Sequence, residues 1–269
     1  MSRGRRGLEP GTTAHYEDAA YYDQTYRRRR SDVRFYAAMA EHHGGPVLEL
    51  GVGTGRVARD IARRGMAVVG VDLMPEMLAQ AERRLAREPR AVRERVELLR
   101  GDLRRVRLGR RFPLVISPFN VFMHLYERRD WERALATVAA HLRPRGRLVF
   151  DVLLPDALEL ARHPTRIYRG RSVRLPGDGR RYRYGERFDY DPVRQLQKVT
   201  MVFEDDEDPT RSFSTPLSHR QVFPAELEAL LHYNGFRIEA LWGDFEGGPL
   251  EAHSESQVVV ARLSPRGRR

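Results

Sequence analysis

The sequence of 269 residues contains no cysteine. Disulfides, thiol nucleophiles and cysteine–zinc sites are therefore excluded, and the chain suits a reducing compartment. Lysine is almost missing too: Lys198 is the only one, so 47 of the 48 basic residues are arginine. No apolar run approaches the ~20 residues that a membrane span needs. The opening stretch "MSRGRRGLEPGTTAH" has no apolar core of the kind a secretory signal carries. These absences predict a soluble, cytoplasmic protein with no membrane partner.

What is present bounds the chain further. Apolar residues make up 41 % and charged residues 32 %, enough for a sizeable core and too mixed in sign for wholesale disorder. The net charge of +11 raises nucleic acid as a partner. Against that, arginine is spread along the whole chain. Its densest run, "YRRRRSD" (26–32), directly precedes a helix-like segment, and no zinc-finger spacing or RNA-recognition signature accompanies it. A solvated basic face is the favoured reading.

Apolar runs at 46–51, 67–72, 96–100, 113–118 and 147–153 read as buried strands. Helical patterns fall at 31–43, 54–64, 75–88 and 129–142, with Ser31 or Asp32 as a candidate N-cap for the first. Strands alternating with helices predict an α/β fold, a doubly wound, mostly parallel sheet covered on both faces. The pattern changes after Pro155. A short helix is expected at 155–162, and from about 166 to 221 alternating residues broken by "PGDG" and "DYDP" predict three or four antiparallel strands. The core pattern then returns as a helix at 223–236, stopped by Asn234-Gly235, and two closing strands. The expected organisation is an N-terminal helical lid segment (1–45), a core (46–155 and 222–269) and an antiparallel β insertion (156–221) that covers substrate or makes a dimer contact.

The stretch "VLELGVGTGRVA" (47–58) carries three glycines, Gly51, Gly53 and Gly55, where a buried strand meets a helix. Parallel-sheet enzymes bind ligands beyond the carboxyl ends of their strands. Nicotinamide enzymes place the third glycine one position later, where Arg56 stands here. Asp72 ends the second strand 21 residues after Gly51, the distance for a carboxylate that accepts two ribose hydroxyls. The competing reading makes it an N-cap. Glu49 sits at the strand–loop junction, and a buried carboxylate there repels pyrophosphate but welcomes an ammonium or sulfonium. Asp102 ends the third strand in "LLRGDL" and suits an exocyclic amine such as that of adenine. A ligand with adenine, ribose and a cationic, phosphate-free tail fits all three, and S-adenosylmethionine is such a ligand.

The segments "VLELGVGTGRVA", "VVGVDLMPEML", "ELLRGDL" and "FPLVISPFNVFMHL" together resemble the class I S-adenosylmethionine-dependent methyltransferases, in their small-molecule branch. "HLRPRGRLVFDV" also resembles the family's approach to strand five, although Pro144-Arg145-Gly146 replaces the usual Pro-Gly-Gly. The resemblance implies a seven-stranded Rossmann-like sheet with an antiparallel last strand. It implies that Gly51, Gly53 and Gly55 approach the methionine part of the cofactor and that Glu49 orders its ammonium group. Asp72 would hold the ribose, with Leu73 or Met74 against the adenine. Asp102 and the backbone of Leu103 would read the adenine edge, and Pro118, Phe119 and Asn120 would face the reacting methyl. In that branch a tyrosine of the N-terminal segment closes over the cofactor, here Tyr22 or Tyr26; an aromatic staple is the competing role.

The implied reaction is in-line methyl transfer to a nitrogen or oxygen of a small-molecule acceptor, leaving S-adenosylhomocysteine. His124, just past strand four, is the first candidate base, and His219, where the insertion rejoins the core, the second. Helix packing and an ordinary sheet position are the competing readings of the two. The histidines show no metal-ligand spacing. In the insertion, Tyr168, Tyr182 and Tyr184 form a substrate wall, the insertion's own core or a homodimer contact. An RNA methyltransferase, a cofactor-binding regulatory protein without turnover and a nicotinamide oxidoreductase are the alternatives.

Overall fold

The computed structural model describes residues 11–26 and 28–264. The first ten residues, Arg27 in the arginine run, and residues 265–269, the rest of the tail "SPRGRR" that the sequence led us to expect to fray, lie outside the described residues.

The chain begins with α1 (Ala14–Glu17), α2 (Ala19–Tyr26) and α3 (Ser31–His43). It then alternates through β1 (Val47–Leu50), α4 (Arg56–Arg63), β2 (Val68–Asp72), α5 (Pro75–Leu85), α6 (Arg90–Arg93) and β3 (Val96–Arg100). Next come β4 (Phe112–Ser117), a 3-10 turn at Val121–His124, α7 (Arg128–His141) and β5 (Leu142–Leu153). A short α8 (Ala157–Leu160) leads to β6 (Tyr168–Arg169), β7 (Val173–Arg174), β8 (Arg181–Asp191), β9 (Leu196–Glu204) and β10 (Phe213–Arg220). The last elements are α9 (Pro224–Tyr233), β11 (Phe236–Trp242) and β12 (Ser256–Leu263).

Seven strands form one sheet in the order β11-β12-β5-β4-β1-β2-β3. The pairs among β1 to β5 are parallel, and β12 runs antiparallel to both β5 and β11. This is the doubly wound, Rossmann-like sheet with an antiparallel last strand that the sequence implied. Strand order reverses beside β1, so the ends of β1, β2 and β4 open a crevice. The N-cap of α3 is Arg30, with Asp32 one residue inside the helix.

Alternation along each strand divides the core between two faces. Leu48, Leu50, Val115, Phe150 and Val152 pack with Trp131 and Leu135 of α7. Val47, Leu114, Ile116 and Val149 pack with Val33 and Tyr36 of α3 and Ile61 of α4. Glu49 and Asp151 share the parity of Val47 and Val149, so these two carboxylates point to the α3 side.

By contact the chain divides into two units. The sheet just described, with α3 to α7 and α9, is one. Residues through Tyr26 and Pro155–Gln221 are the other. The second unit is an antiparallel sheet, β10-β9-β8-β6, with β7 also paired to β8. It has five strands where three or four were expected, because β6 and β7 are two residues each and too short to show alternation. Tyr182 and Phe188 are buried there with Met201, Phe203 and Tyr21.

Trp131 is fully buried, touches Phe122 and Phe150, and donates from Nε1 to the Leu125 carbonyl at 3.0 Å. Trp131→Ala is expected to cost about 3–5 kcal/mol, read as an earlier denaturant midpoint of the unit carrying the parallel sheet.

Candidate functional site

Loop 51–55 turns sharply after β1. Gly51 and Gly53 have φ of +77° and +55°, a region that side-chain-bearing residues rarely adopt. The two glycines serve different ends. A Cβ on Gly51 would meet Val121 Cγ2 at 2.5 Å, whereas one on Gly53 would meet nothing within 4 Å. The backbone at Gly53 therefore borders open space.

Asp72 stands at the end of β2, and both its oxygens hold backbone: Gly53 N donates to Oδ2 at 2.7 Å and Met74 N to Oδ1 at 2.9 Å. Met74, not Asp72, is the N-cap of α5. Burial pushes the Asp72 carboxyl up from its ordinary range, opposed by these amide donors. Each carboxylate oxygen can still accept a second bond.

Glu49 is 2 % exposed, and its Oε2 has no hydrogen-bond partner. Burial raises its pKa well above the usual range, with the Arg56 guanidinium opposing and Asp72 and Asp32 adding to the rise. A buried carboxylate in that state is a site that lacks a cation or donor.

Arg56 is committed elsewhere. Its Nη1 and Nη2 donate to Asp32 Oδ1 and Oδ2 at 2.8 and 2.5 Å, and Asp32 is 0 % exposed. Arg29 Nε lies 3.7 Å from Asp32 Oδ2. Both guanidiniums also lie over the ring of Phe119, at 5.1 Å for Arg29 and 5.3 Å for Arg56.

Phe119 and Asn120, past the end of β4, are non-glycine residues with φ of +64° and +62°. Such strain persists only where surrounding structure holds it. Asp151 of β5 does so: Phe119 N donates to Oδ1 at 2.7 Å and Asn120 N to Oδ2 at 3.2 Å. The Tyr36 hydroxyl also donates to Oδ1, at 2.6 Å. Burial raises Asp151 and Tyr36 above their ordinary values, so the hydroxyl keeps its proton and stays a donor. Asn120 Oδ1 is buried without a partner.

Asp102 is taken by its neighbour. Arg104 Nε donates to both carboxylate oxygens and Nη2 to Oδ2 at 2.8 Å, while Nη1 reaches Asp130 at 3.0 Å. Burial alone would raise Asp102, but Arg104 outweighs it and the net shift is downward. Leu73 and Leu103 are half-buried and Met74 is buried. His124 is half-buried in the 3-10 turn, its Nδ1 3.1 Å from the Tyr126 hydroxyl. Among the described residues, no group of three His, Asp or Glu is placed to hold a metal.

Thus Glu49, the glycines, Asp72 to Met74, Asp102, Leu103, Pro118 to Asn120 and His124 lie in or just beyond the last residues of β1 to β4 in one unit. Tyr22, Tyr26, Tyr168, Tyr182, Tyr184 and His219 belong to the other unit. The rings of Tyr22 and Tyr26 contact each other in α2, tilted by 60° with centroids 4.8 Å apart, and His219 pairs with Gln197 across β10 and β9. Tyr182 packs on Phe203 and Phe213, its hydroxyl donating to Asp178 at 2.7 Å. Sequence reading missed Asp32, Tyr36, Arg56 and Asp151 as site residues. Asp151 had a usable signal: it is the one polar residue inside "LVFDVL".

These residues fit S-adenosylmethionine: Glu49 offers a buried carboxylate oxygen without a partner, Asp72 spare acceptor capacity, and Gly53 a backbone with room in front of it. A family model described as a methyltransferase domain matches residues 47–146. A dTDP-3-amino-3,6-dideoxy-alpha-D-glucopyranose N,N-dimethyltransferase of Streptomyces fradiae is 35% identical over 47% of this chain and 46% of its own. The chain thus spans about half the length of that relative. Among solved structures, the CcbJ methyltransferase from Streptomyces caelestis superposes with a TM-score of 0.80 at 27% identity, covering 94% of this chain and 99% of that one. The glycopeptide N-methyltransferase MtfA complexed with S-adenosylmethionine matches with a TM-score of 0.57 at 26% identity, over 87% of this chain and 93% of its own.

The state of Glu49 has a measurable consequence for the ligand-free protein. Below its unfolded pKa of about 4.3 the carboxyl is neutral in both states and carries no penalty. As pH rises the unfolded chain ionises first, so the native state loses stability until the folded carboxyl ionises as well. Glu49→Gln is therefore expected to match wild type near about pH 4 and to be more stable by roughly 1–3 kcal/mol near about pH 7. Urea melts at the two pH values check this. A variant destabilised equally at both would contradict it.

Proposed function

We propose that the chain is a class I S-adenosylmethionine-dependent methyltransferase and that it transfers the cofactor's methyl group to the nitrogen of a small-molecule amine. When bound, S-adenosylmethionine supplies an electrophilic methyl group on a sulfonium. The chain's part is to bind, align and exclude water, and alignment alone contributes up to ~7–11 kcal/mol to such a step.

The observation that carries the reading is the unpaired Oε2 of Glu49 beside a glycine loop held by Asp72. In this reading Glu49 takes the cofactor's ammonium, Asp72 its ribose hydroxyls, and Leu73, Met74 and Leu103 its adenine. Asp102 shares its carboxylate between Arg104 and the adenine amine. Asp151 and Tyr36 hold the strained tip so that Pro118, Phe119 and Asn120 border the reacting methyl. His124, fixed through Nδ1 by Tyr126, is the base that takes a proton from the acceptor.

Nitrogen is favoured over oxygen because the S. fradiae relative and the MtfA structure are both named as N-methyltransferases. A small acceptor is favoured over RNA because much of the basic surface is internally neutralised. Arg63, Arg90, Arg110, Arg169, Arg183 and Arg211 each pair with a carboxylate of this chain. Phosphate would have to displace those pairs.

Two measurements test the proposal. Incubation with methyl-labelled cofactor and a panel of amino sugars, amino acids and their hydroxyl counterparts should label amines. Label on hydroxyl compounds alone would overturn the choice of nitrogen, and tight cofactor binding without transfer to any acceptor would leave a binding protein. Gly53→Ala should cost only about 1–2 kcal/mol of stability, the strain of a left-handed residue, yet weaken S-adenosylhomocysteine at least ~10-fold by calorimetry, a loss of about 1.4 kcal/mol.

A further inference from the structure

Two buried carboxylates on the α3 side of the sheet, Asp32 and Glu49, compete for one guanidinium. Arg56 opens α4, directly after the glycine loop. The Glu49 carboxyl accepts from the backbone N–H of Ala58, in the same first turn of that helix. Asp32 sits in the first turn of α3. Of the charged groups that act on Glu49, Arg56 is the strongest, ahead of Asp72 and Asp32. All these residues belong to the unit that carries the parallel sheet.

Asp32 wins the guanidinium. Arg56 Nη1 and Nη2 donate to its Oδ1 and Oδ2 as a two-pronged fork, and Nη1 also donates to the Arg29 carbonyl at 3.0 Å. Paired bonds of this kind fix direction as well as energy. Asp32 is held in turn. Val33 N donates to Oδ1 at 2.8 Å and Arg29 Nε lies 3.7 Å from Oδ2, at a helix N-terminus that favours a carboxylate.

Glu49 is left outside that arrangement, its Oε2 buried without a hydrogen-bond partner. Tyr36, which also interacts electrostatically with Glu49, gives its hydroxyl proton to Asp151 at 2.6 Å. Arg56 and Tyr36 thus each serve another carboxylate. A guanidinium turned from Asp32 to Glu49 would set a cation where the proposed cofactor places its ammonium, and the two would exclude each other.

We infer that Asp32 is a positioning residue: by holding Arg56 it keeps the guanidinium off Glu49 and leaves that carboxylate to the cofactor's ammonium. The inference rests on the reading of Glu49 as the ammonium site and gives Asp32 a role exerted through Arg56. A residue that only tethered α3 to α4 would affect every ligand of the crevice alike. One that holds back a competing cation affects only a ligand that carries an ammonium.

Calorimetry on the full chain separates the two roles, with S-adenosylhomocysteine and with methylthioadenosine, an adenosyl thioether without the amino acid. Asp32→Asn should weaken S-adenosylhomocysteine at least ~10-fold more than methylthioadenosine. In Asp32→Asn/Arg56→Met no guanidinium is left to compete, and the ratio of the two affinities should return to within ~3-fold of wild type. Equal weakening of both ligands, or a ratio that the second substitution does not restore, overturns the inference.

Urea melts of the ligand-free protein near about pH 7 give an independent reading. Glu49→Gln should raise the midpoint in the wild-type background and lower it in Asp32→Asn, where Glu49 has gained a cation. A lowered midpoint in the wild-type background means that Glu49 already has its cation, and it overturns the inference even if Asp32→Asn does not fold. Failure of wild type to bind S-adenosylhomocysteine would instead strike the methyltransferase reading, and the sign of the Glu49→Gln shift in the two backgrounds would still report on Asp32.

Discussion

The buried fork between Arg56 and Asp32 is the contact on which the crevice depends. It ties the first residue of α4, directly after the glycine loop, to the first turn of α3. Neither charge could stay there alone, since removing one partner of a buried pair typically costs about 3–5 kcal/mol. The same guanidinium lies over Phe119 and acts electrostatically on Glu49. One side chain thus links the loop after β1, the tip after β4 and helix α3.

Around that pair the charges do not balance. Asp32, Glu49, Asp72 and Asp151 are four carboxylates, and Arg29 and Arg56 act on three of them, Asp32, Glu49 and Asp151. Burial raises the pKa of Glu49, Asp72 and Asp151, which favours the protonated carboxyl until a cation or donor makes the charged form favourable. On the proposed reading, such a site disfavours a pyrophosphate and suits a sulfonium with an ammonium. The same electrostatic argument sets this crevice apart from a nicotinamide site of equal topology.

The insertion solves a different problem. Its sheet is too small to bury much on its own, and aromatic rings fill the space: Phe203 stacks on Phe213 at 4.7 Å and contacts Tyr184 and Tyr21. That packing explains Tyr182 more fully than contact with a ligand would.

The strands, the helices between them and the doubly wound sheet were legible in the residues, because runs such as "VVGVD" and "PLVIS" have nowhere to go but a core covered on both faces. The ends of those strands were legible for the same reason: glycines at 51, 53 and 55 and acids at 49, 72 and 102 interrupt apolar runs at fixed places. Hydrogen bonds between residues distant in the chain were not. That Asp151 would hold Phe119 and Asn120, that Tyr36 would join it from α3, and that Arg104 would claim Asp102 all follow from which side chains strand order brings together. Local pattern sets what each segment is. Only the folded chain decides which buried charge meets a partner and which is left waiting for one.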